Sequence, residues 1–175
     1  MILVAQRIHI IGPPGSGKTT VAATFARETG IHYMCLDNCY YTDAPRRIKR
    51  DRADRQHMVS SVTAEAAWIT EGIFWQPWVE VLWQQANHII LLVPRTLTLH
   101  YRVTKRHLAL LSKSPISEYS TFLPTLLELW KTNQSYAHHG LAQTRAALEP
   151  YASKLVECRH TTEARAFLNT LNPSV

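Results

Sequence analysis

Short apolar stretches alternate with longer segments of helical periodicity along the whole chain. Arg7 to Ile11 alternates and then turns apolar, which predicts a first strand. Lys18 to Thr29 places Val21, Ala22, Phe25 and Ala26 on one helical face, and Gly30 stops that helix. Ile31 to Leu36 predicts a second strand, ending at Asp37. Asp43 is positioned to cap a helix from Ala44 to about Ala66, with Pro45 tolerated in its first turn. Trp68-Ile69-Thr70 predicts a third strand closed by Glu71-Gly72. Gln76 to Gln85 predicts a helix that turns Trp78, Val79, Leu82 and Trp83 inward. His88 to Val93 is almost continuously apolar, as in a parallel strand covered on both faces. A basic helix follows over Arg95 to Leu111, then a loop over Ser112 to Ser117. Ser117 to Glu149 reads as one long helix or two, with Gly140 as the weak point. Lys154 to Cys158 predicts a fifth strand, and Thr161 to Leu171 a closing helix capped by Thr161.

Five strands separated by helices imply βαβ units and a mostly parallel sheet. In such sheets ligands bind beyond the carboxyl ends of the strands. The chain shows no internal repeat or linker, and 175 residues suit a single α/β domain. With 46% hydrophobic and 18% charged residues, the composition excludes a disordered chain. The longest apolar run, Ile89 to Val93, is far short of the ~20 residues a membrane span needs. Met1 to Arg7 has no basic leader pattern, and three cysteines (Cys35, Cys39, Cys158) are too few for a disulfide framework. A reducing, cytoplasmic setting is therefore expected, with no membrane partner. Cys35 and Cys39, near His32, read as packing residues rather than zinc ligands.

The net charge of +6 is unevenly spread. Arg46 to Arg55 carries a net +4 and Arg95 to Lys113 a net +5, so the remaining chain is net acidic. Such segments attract nucleotide phosphates or nucleic acid, or are solvated helix faces with i,i+4 ion pairs such as Arg47–Asp51 and Arg50–Asp54. Arg46, Arg47 and Arg50 are left without a catalytic assignment.

The strand ends decide between these. Gly12-Pro13-Pro14-Gly15-Ser16-Gly17-Lys18-Thr19 matches G-x-x-x-x-G-K-[ST] in full and lies between a predicted strand and a helix. Gly15 and Gly17 permit backbone angles that turn successive N–H groups inward around phosphate oxygens, next to a helix N-terminus. In such a loop Lys18 reaches the β- and γ-phosphates, Thr19 offers its hydroxyl to Mg²⁺, and Thr20 completes the binding stretch. This predicts a nucleoside triphosphate site. Asp37, after the second strand, is placed to orient or deprotonate an acceptor hydroxyl. Glu71, after the third, is placed to hold Mg²⁺ directly or through water. Arg102 and Arg106 share a helical face and are suited to stabilise a phosphoryl group in transfer. Phe74, Trp75 and Trp78 cluster after Glu71 as an aromatic wall that can stack a base or a sugar, Trp78 being the better core residue.

The phosphate loop, Asp37, the segment Trp68-Ile69-Thr70-Glu71-Gly72 and the pair Arg102/Arg106 after a strand ending in Val93-Pro94 resemble the adenylate-kinase-like P-loop kinases. The nearest resemblance is to the DNA topology modulation protein and adenylate-kinase-related kinase group, and it covers roughly the first 110 residues. It implies a three-layer P-loop NTPase fold, with a five-stranded parallel sheet in the order 2-3-1-4-5 and helices on both faces. It further implies ATP with Mg²⁺, and phosphoryl transfer to a small acceptor: a nucleoside, a nucleotide or another hydroxyl compound. The sequence departs from that group in carrying Glu71 for Asp and Ile73-Phe74 for Asn-Tyr. It lacks an Asp-Gly-Phe-Pro-Arg segment, and residues 107 to 120 leave room only for a short lid before the helical part at about 118–175. The expected protein is a monomeric or homodimeric small-molecule kinase. The rival is an ATP-driven switch or slow ATPase that contacts nucleic acid, against which stands the absence of a recognisable reader motif.

Overall fold

The computed structural model describes residues 6–43, 48–111 and 119–171. Five parallel strands form the central sheet: β1 (Arg7–Ile11), β2 (His32–Cys35), β5 (Trp68–Gly72), β6 (His88–Leu92) and β7 (Leu155–Cys158). Their order is β2-β5-β1-β6-β7. Counted along the sheet strands alone, this is the expected 2-3-1-4-5. A two-stranded antiparallel hairpin, β3 (Tyr41–Asp43) with β4 (Ile48–Lys49), stands apart from the sheet.

Side-chain alternation sorts the core into two layers. On β6, Ile89 and Leu91 join a cluster with Leu36, Val59, Val62, Trp68 and Leu82 on one face. Ile90 and Leu92 point the other way and pack with Val21, Phe25 and Leu168. β5 is buried at all five positions. Apolar residues at consecutive strand positions are what a sheet covered on both faces requires. Within the sheet, His9 is wholly buried; its Nδ1 lies 2.8 Å from the Thr70 hydroxyl, and burial pushes its pKa down to about 3.

The covering helices follow the expected segments where the local signals are strong. α1 spans Lys18–Thr29 and stops at Gly30, whose left-handed backbone donates its N–H to Ala26. The segment predicted as a helix over Gln76 to Gln85 opens with a 3-10 turn at Pro77–Val79 and becomes α4 at Glu80–Gln85. α5 spans Thr96–Leu111. The long C-terminal helical segment is α6 (Tyr119–Ser135) and α7 (Leu141–Leu148), joined through one π-helical turn at Tyr136–Gly140. α8 covers Thr161–Leu171.

Three expectations are corrected. The helix expected over Ala44 to about Ala66 is shorter than that: among the described residues of the segment, Ile48–Lys49 is strand. Ile48 and Lys49 pair with Tyr41–Asp43, the Thr42 hydroxyl donates to the Ile48 carbonyl, and the Arg50 N–H closes the hairpin on the Tyr40 carbonyl. The helix α3 starts only at Arg52 and runs to Thr63, capped by Asp51, which accepts from the Asp54 N–H. Residues 44–47, with Arg46 and Arg47, lie outside the described residues. The second strand ends at Cys35, and Asp37 belongs to a short helix, α2 (Leu36–Tyr40), because the chain turns under Gly72. Leu36 Cβ would lie 2.9 Å from a Cβ on Gly72, so only glycine lets the two chains pass. Thr161 is the first residue of α8 rather than its cap; the His160 carbonyl accepts the N–H groups of Glu163 and Ala164. The loop expected at Ser112 to Ser117 and the centre of the short lid lie outside the described residues.

Candidate functional site

The loop between β1 and α1 is shaped by its glycines. Gly15 and Gly17 have φ of 79° and 93°, a region that side chains strain to enter. A Cβ on Gly15 would lie 2.8 Å from Val103 Cγ2, and one on Gly17 2.6 Å from Thr161 Cγ2. The loop is thus held against α5 on one side and the start of α8 on the other. Its opening is anchored to the sheet by the Gly12 N–H, which donates to the Gly72 carbonyl at 3.2 Å. Ser16 is buried, and Arg102 Nη1 donates to its carbonyl at 3.1 Å.

Glu71 sits beneath this loop, only 1% exposed. The Thr19 hydroxyl donates to its Oε1 at 2.9 Å, and the Tyr33 hydroxyl to the same oxygen at 3.2 Å. Oε2 takes no direct hydrogen bond and faces the Lys18 ammonium at 3.8 Å. Lys18 is itself buried. The acid's neighbours feel it: burial and the Glu71 charge hold the Tyr33 hydroxyl above its ordinary range and push the Cys35 thiol up to about 12. Cys35 is therefore a neutral thiol at physiological pH.

A cleft of about 460 Å³ opens over this group. Lys18, Thr19, Thr20, Asp37, Arg102 and Arg106 all line it. The sequence-predicted residues Pro14, Gly15 and Gly17 line it as well, whereas Gly12, Pro13 and the buried Ser16 support the loop from behind. Glu71 stands under the cleft, reached through Thr19 and Lys18. The aromatic wall divides as follows. Phe74 is buried against Tyr40 and Trp78, at 4.8 and 5.1 Å between ring centroids, and still lines the cleft. Trp75 is 37% exposed. Arg55, from the basic segment, lies over the Tyr40 ring at 4.7 Å and the Trp78 ring at 5.6 Å.

Sequence reasoning missed Tyr33, Tyr41, Thr132 and Thr161. Tyr33 was within reach, because in the parallel register Cys35 faces Glu71 and Tyr33 points the same way two residues earlier. Tyr41 and Thr132 come to the cleft from β3 and α6, and no local pattern marks them.

A family model described as "ATPase family associated with various cellular activities (AAA)" matches residues 8–70, the stretch from β1 through β5. The chain has the α/β fold of the P-loop NTPases. Among solved structures of that fold, a gluconokinase from Sinorhizobium meliloti 1021 is similar over 98% of this chain and 93% of its own, with a TM-score of 0.50 and 14% identity. A shikimate kinase from Acinetobacter baumannii in complex with shikimate is similar over 97% of this chain and 92% of its own, with a TM-score of 0.52 and 16% identity. At such identities the likeness speaks for the fold. No curated protein sequence matches this P-loop chain. Among the described residues, no helix is long and apolar enough to cross a membrane.

Proposed function

We propose that the protein is an ATP-dependent phosphotransferase that phosphorylates a hydroxyl group of a small molecule. The observation that carries this reading is the convergence of the phosphate loop, Asp37, Arg102 and Arg106 on one cleft. A nucleotide switch needs the loop and Glu71. It does not need a carboxylate and two arginines lining the same cleft.

In this reading the loop N–H groups and Lys18 hold the triphosphate, as the oriented amides of a phosphate loop do. The acceptor hydroxyl oxygen attacks the γ-phosphorus, the bond to the β–γ bridging oxygen breaks, and ADP leaves. Asp37 takes the hydroxyl proton. Arg102 and Arg106 face the equatorial oxygens, on which charge accumulates in the loose transition state. Mg²⁺ suits the same site. Thr19 and Glu71 supply a hydroxyl and a buried carboxylate whose Oε2 lacks a hydrogen bond. When bound, the ion neutralises charge on the β- and γ-phosphates. Asp37 and the paired arginines also fit the adenylate-kinase-like group within the fold, with Glu71 in the place of its Asp. A cytoplasmic location accords with the three free cysteines and with the proposed use of ATP.

The test is turnover of Mg²⁺-ATP by the purified protein, alone and with pooled nucleosides, nucleoside monophosphates, sugars and sugar acids. ADP release that rises at least tenfold over background with one pool is the expected result. Tight ATP binding with no pool stimulating turnover would favour an ATPase or switch instead.

A further inference from the structure

The cleft does not end at Phe74. A second chamber of about 390 Å³ adjoins it, and Ile73, Phe74 and Thr132 line both. The floor of the second chamber is the segment after β5, with Phe74, Trp75 and Gln76; its wall is Ser135, His139 and Gln143 from α6, the π turn and α7. Three features point to its use. First, among the described residues no Lys, Arg, Asp or Glu lines it. An ionised group placed there would lose water without gaining a counter-charge. Second, Phe74 is fixed by its contacts with Tyr40 and Trp78, while the Trp75 indole stays 37% exposed. A rigid ring beside a free indole is a stacking surface. Third, Gln76 and Gln143 each offer both donors and an acceptor, the hydrogen-bonding set that the edge of a heterocycle needs. The π turn at Tyr136–Gly140 brings His139 and Gly140 to the chamber, and such single turns are frequent at functional sites.

We propose that this chamber seats the non-reacting end of the acceptor, and that this end is an uncharged flat ring with polar edges, as in a nucleoside. The inference rests on the phosphotransferase reading and narrows its substrate class. The acceptor then lies across Phe74, with its hydroxyl toward Asp37 and its ring against Trp75. An acceptor whose far end carries a carboxylate or phosphate is selected against by a lining that offers it no Lys or Arg.

The experiment uses the full chain, with adenosine, guanosine, cytidine and uridine as probes against orotidine, whose ring bears a carboxylate, and gluconate. At least one uncharged nucleoside is expected to stimulate ADP release with a KM at least tenfold below that of orotidine and of gluconate. Trp75→Ala is expected to raise that KM roughly tenfold to a hundredfold, the range for stacking on one base, with kcat and the KM for ATP within twofold. Trp75→Phe restores most of the loss, and Gln143→Ala raises the nucleoside KM without touching the ATP KM. Quenching of tryptophan fluorescence by the nucleoside, lost in Trp75→Phe, reports binding without turnover. Stimulation by gluconate or orotidine in preference to the uncharged nucleosides overturns the subsite, as does an unchanged nucleoside KM in Trp75→Ala; the kinase reading survives either result. Failure of every acceptor in every pool overturns both.

Discussion

The two ends of the cleft, which we propose hold the phosphate donor and the acceptor, are built differently. At the donor end, Glu71 is buried and touched by Thr19, Tyr33 and Lys18, while Gly15 and Gly17 are pressed against Val103 and Thr161. At the acceptor end, Asp37 and Tyr41 stand on a five-residue helix and a hairpin outside the main sheet, and Trp75 and Gln76 are exposed. In the proposed reading, the first arrangement fixes a charge pattern suited to a triphosphate. The second leaves shape and polarity to loops and short elements, which vary readily without disturbing the sheet. Ligand chemistry shared across a fold is thus written into its central strands, and specificity into what is attached to their ends.

Substitutions separate the two ends by size of effect. Removing the buried cation by Lys18→Ala is expected to lower turnover with any acceptor by roughly 100- to 1,000-fold, the scale for one stabilising donor; steady-state ADP release checks this, with circular dichroism confirming the fold. Asp37→Asn is expected to cost roughly 100-fold in kcat, the low end for a lost general base, yet to leave ATP affinity within twofold by calorimetry. A comparable loss of ATP affinity would move Asp37 to the donor end and break the comparison. The two arginines should differ. Arg106→Ala lowers kcat alone, whereas Arg102→Ala lowers kcat and also weakens ATP binding by about tenfold, because its guanidinium holds the Ser16 carbonyl of the loop. Equal effects of the two on ATP binding would show that this hydrogen bond does not order the loop.

The smallest effect concerns the sheet beneath both ends. His9 is buried neutral, with its pKa lowered from the ordinary 6.5 to about 3. Below pH 6.5 the unfolded chain takes up a proton that the folded chain refuses, so its contribution to stability falls as pH is lowered from 6.5 toward 3. The slope is up to about 1.4 kcal/mol per pH unit. Urea unfolding at pH 7.0 and 5.5 should show a drop in the midpoint that His9→Gln reduces. An identical drop in the variant would place the acid sensitivity elsewhere.

The same contrast governs what was legible in the sequence. The strands, α1 and the phosphate loop follow from local patterns: apolar strand runs, one helical face over Val21 to Ala26, and glycines where the backbone turns left-handed. The sheet order came instead from the resemblance to the adenylate-kinase-like kinases. The pairing of Tyr41–Asp43 with Ile48–Lys49 was not legible. The i,i+4 spacing of Arg47 with Asp51 and Arg50 with Asp54 reads as one helix, whereas the Arg50 N–H closes on the Tyr40 carbonyl, a contact that no local pattern records. Thr161 reads as a cap from its neighbours. In three dimensions its methyl is the surface against which Gly17 must remain a glycine. Asp37 and Glu71 were found by their places after strands, but the burial of Glu71 and its contact with Tyr33 depend on strand pairing rather than on sequence spacing.

The most direct test of the central claim follows the γ-phosphoryl group itself. ATP labelled at the γ-phosphorus is incubated with the protein, Mg²⁺ and a stimulating acceptor, and the products are separated. The account predicts label in a phosphorylated acceptor, in a one-to-one ratio with ADP. Label recovered only as inorganic phosphate, at a rate the acceptor does not change, would contradict it.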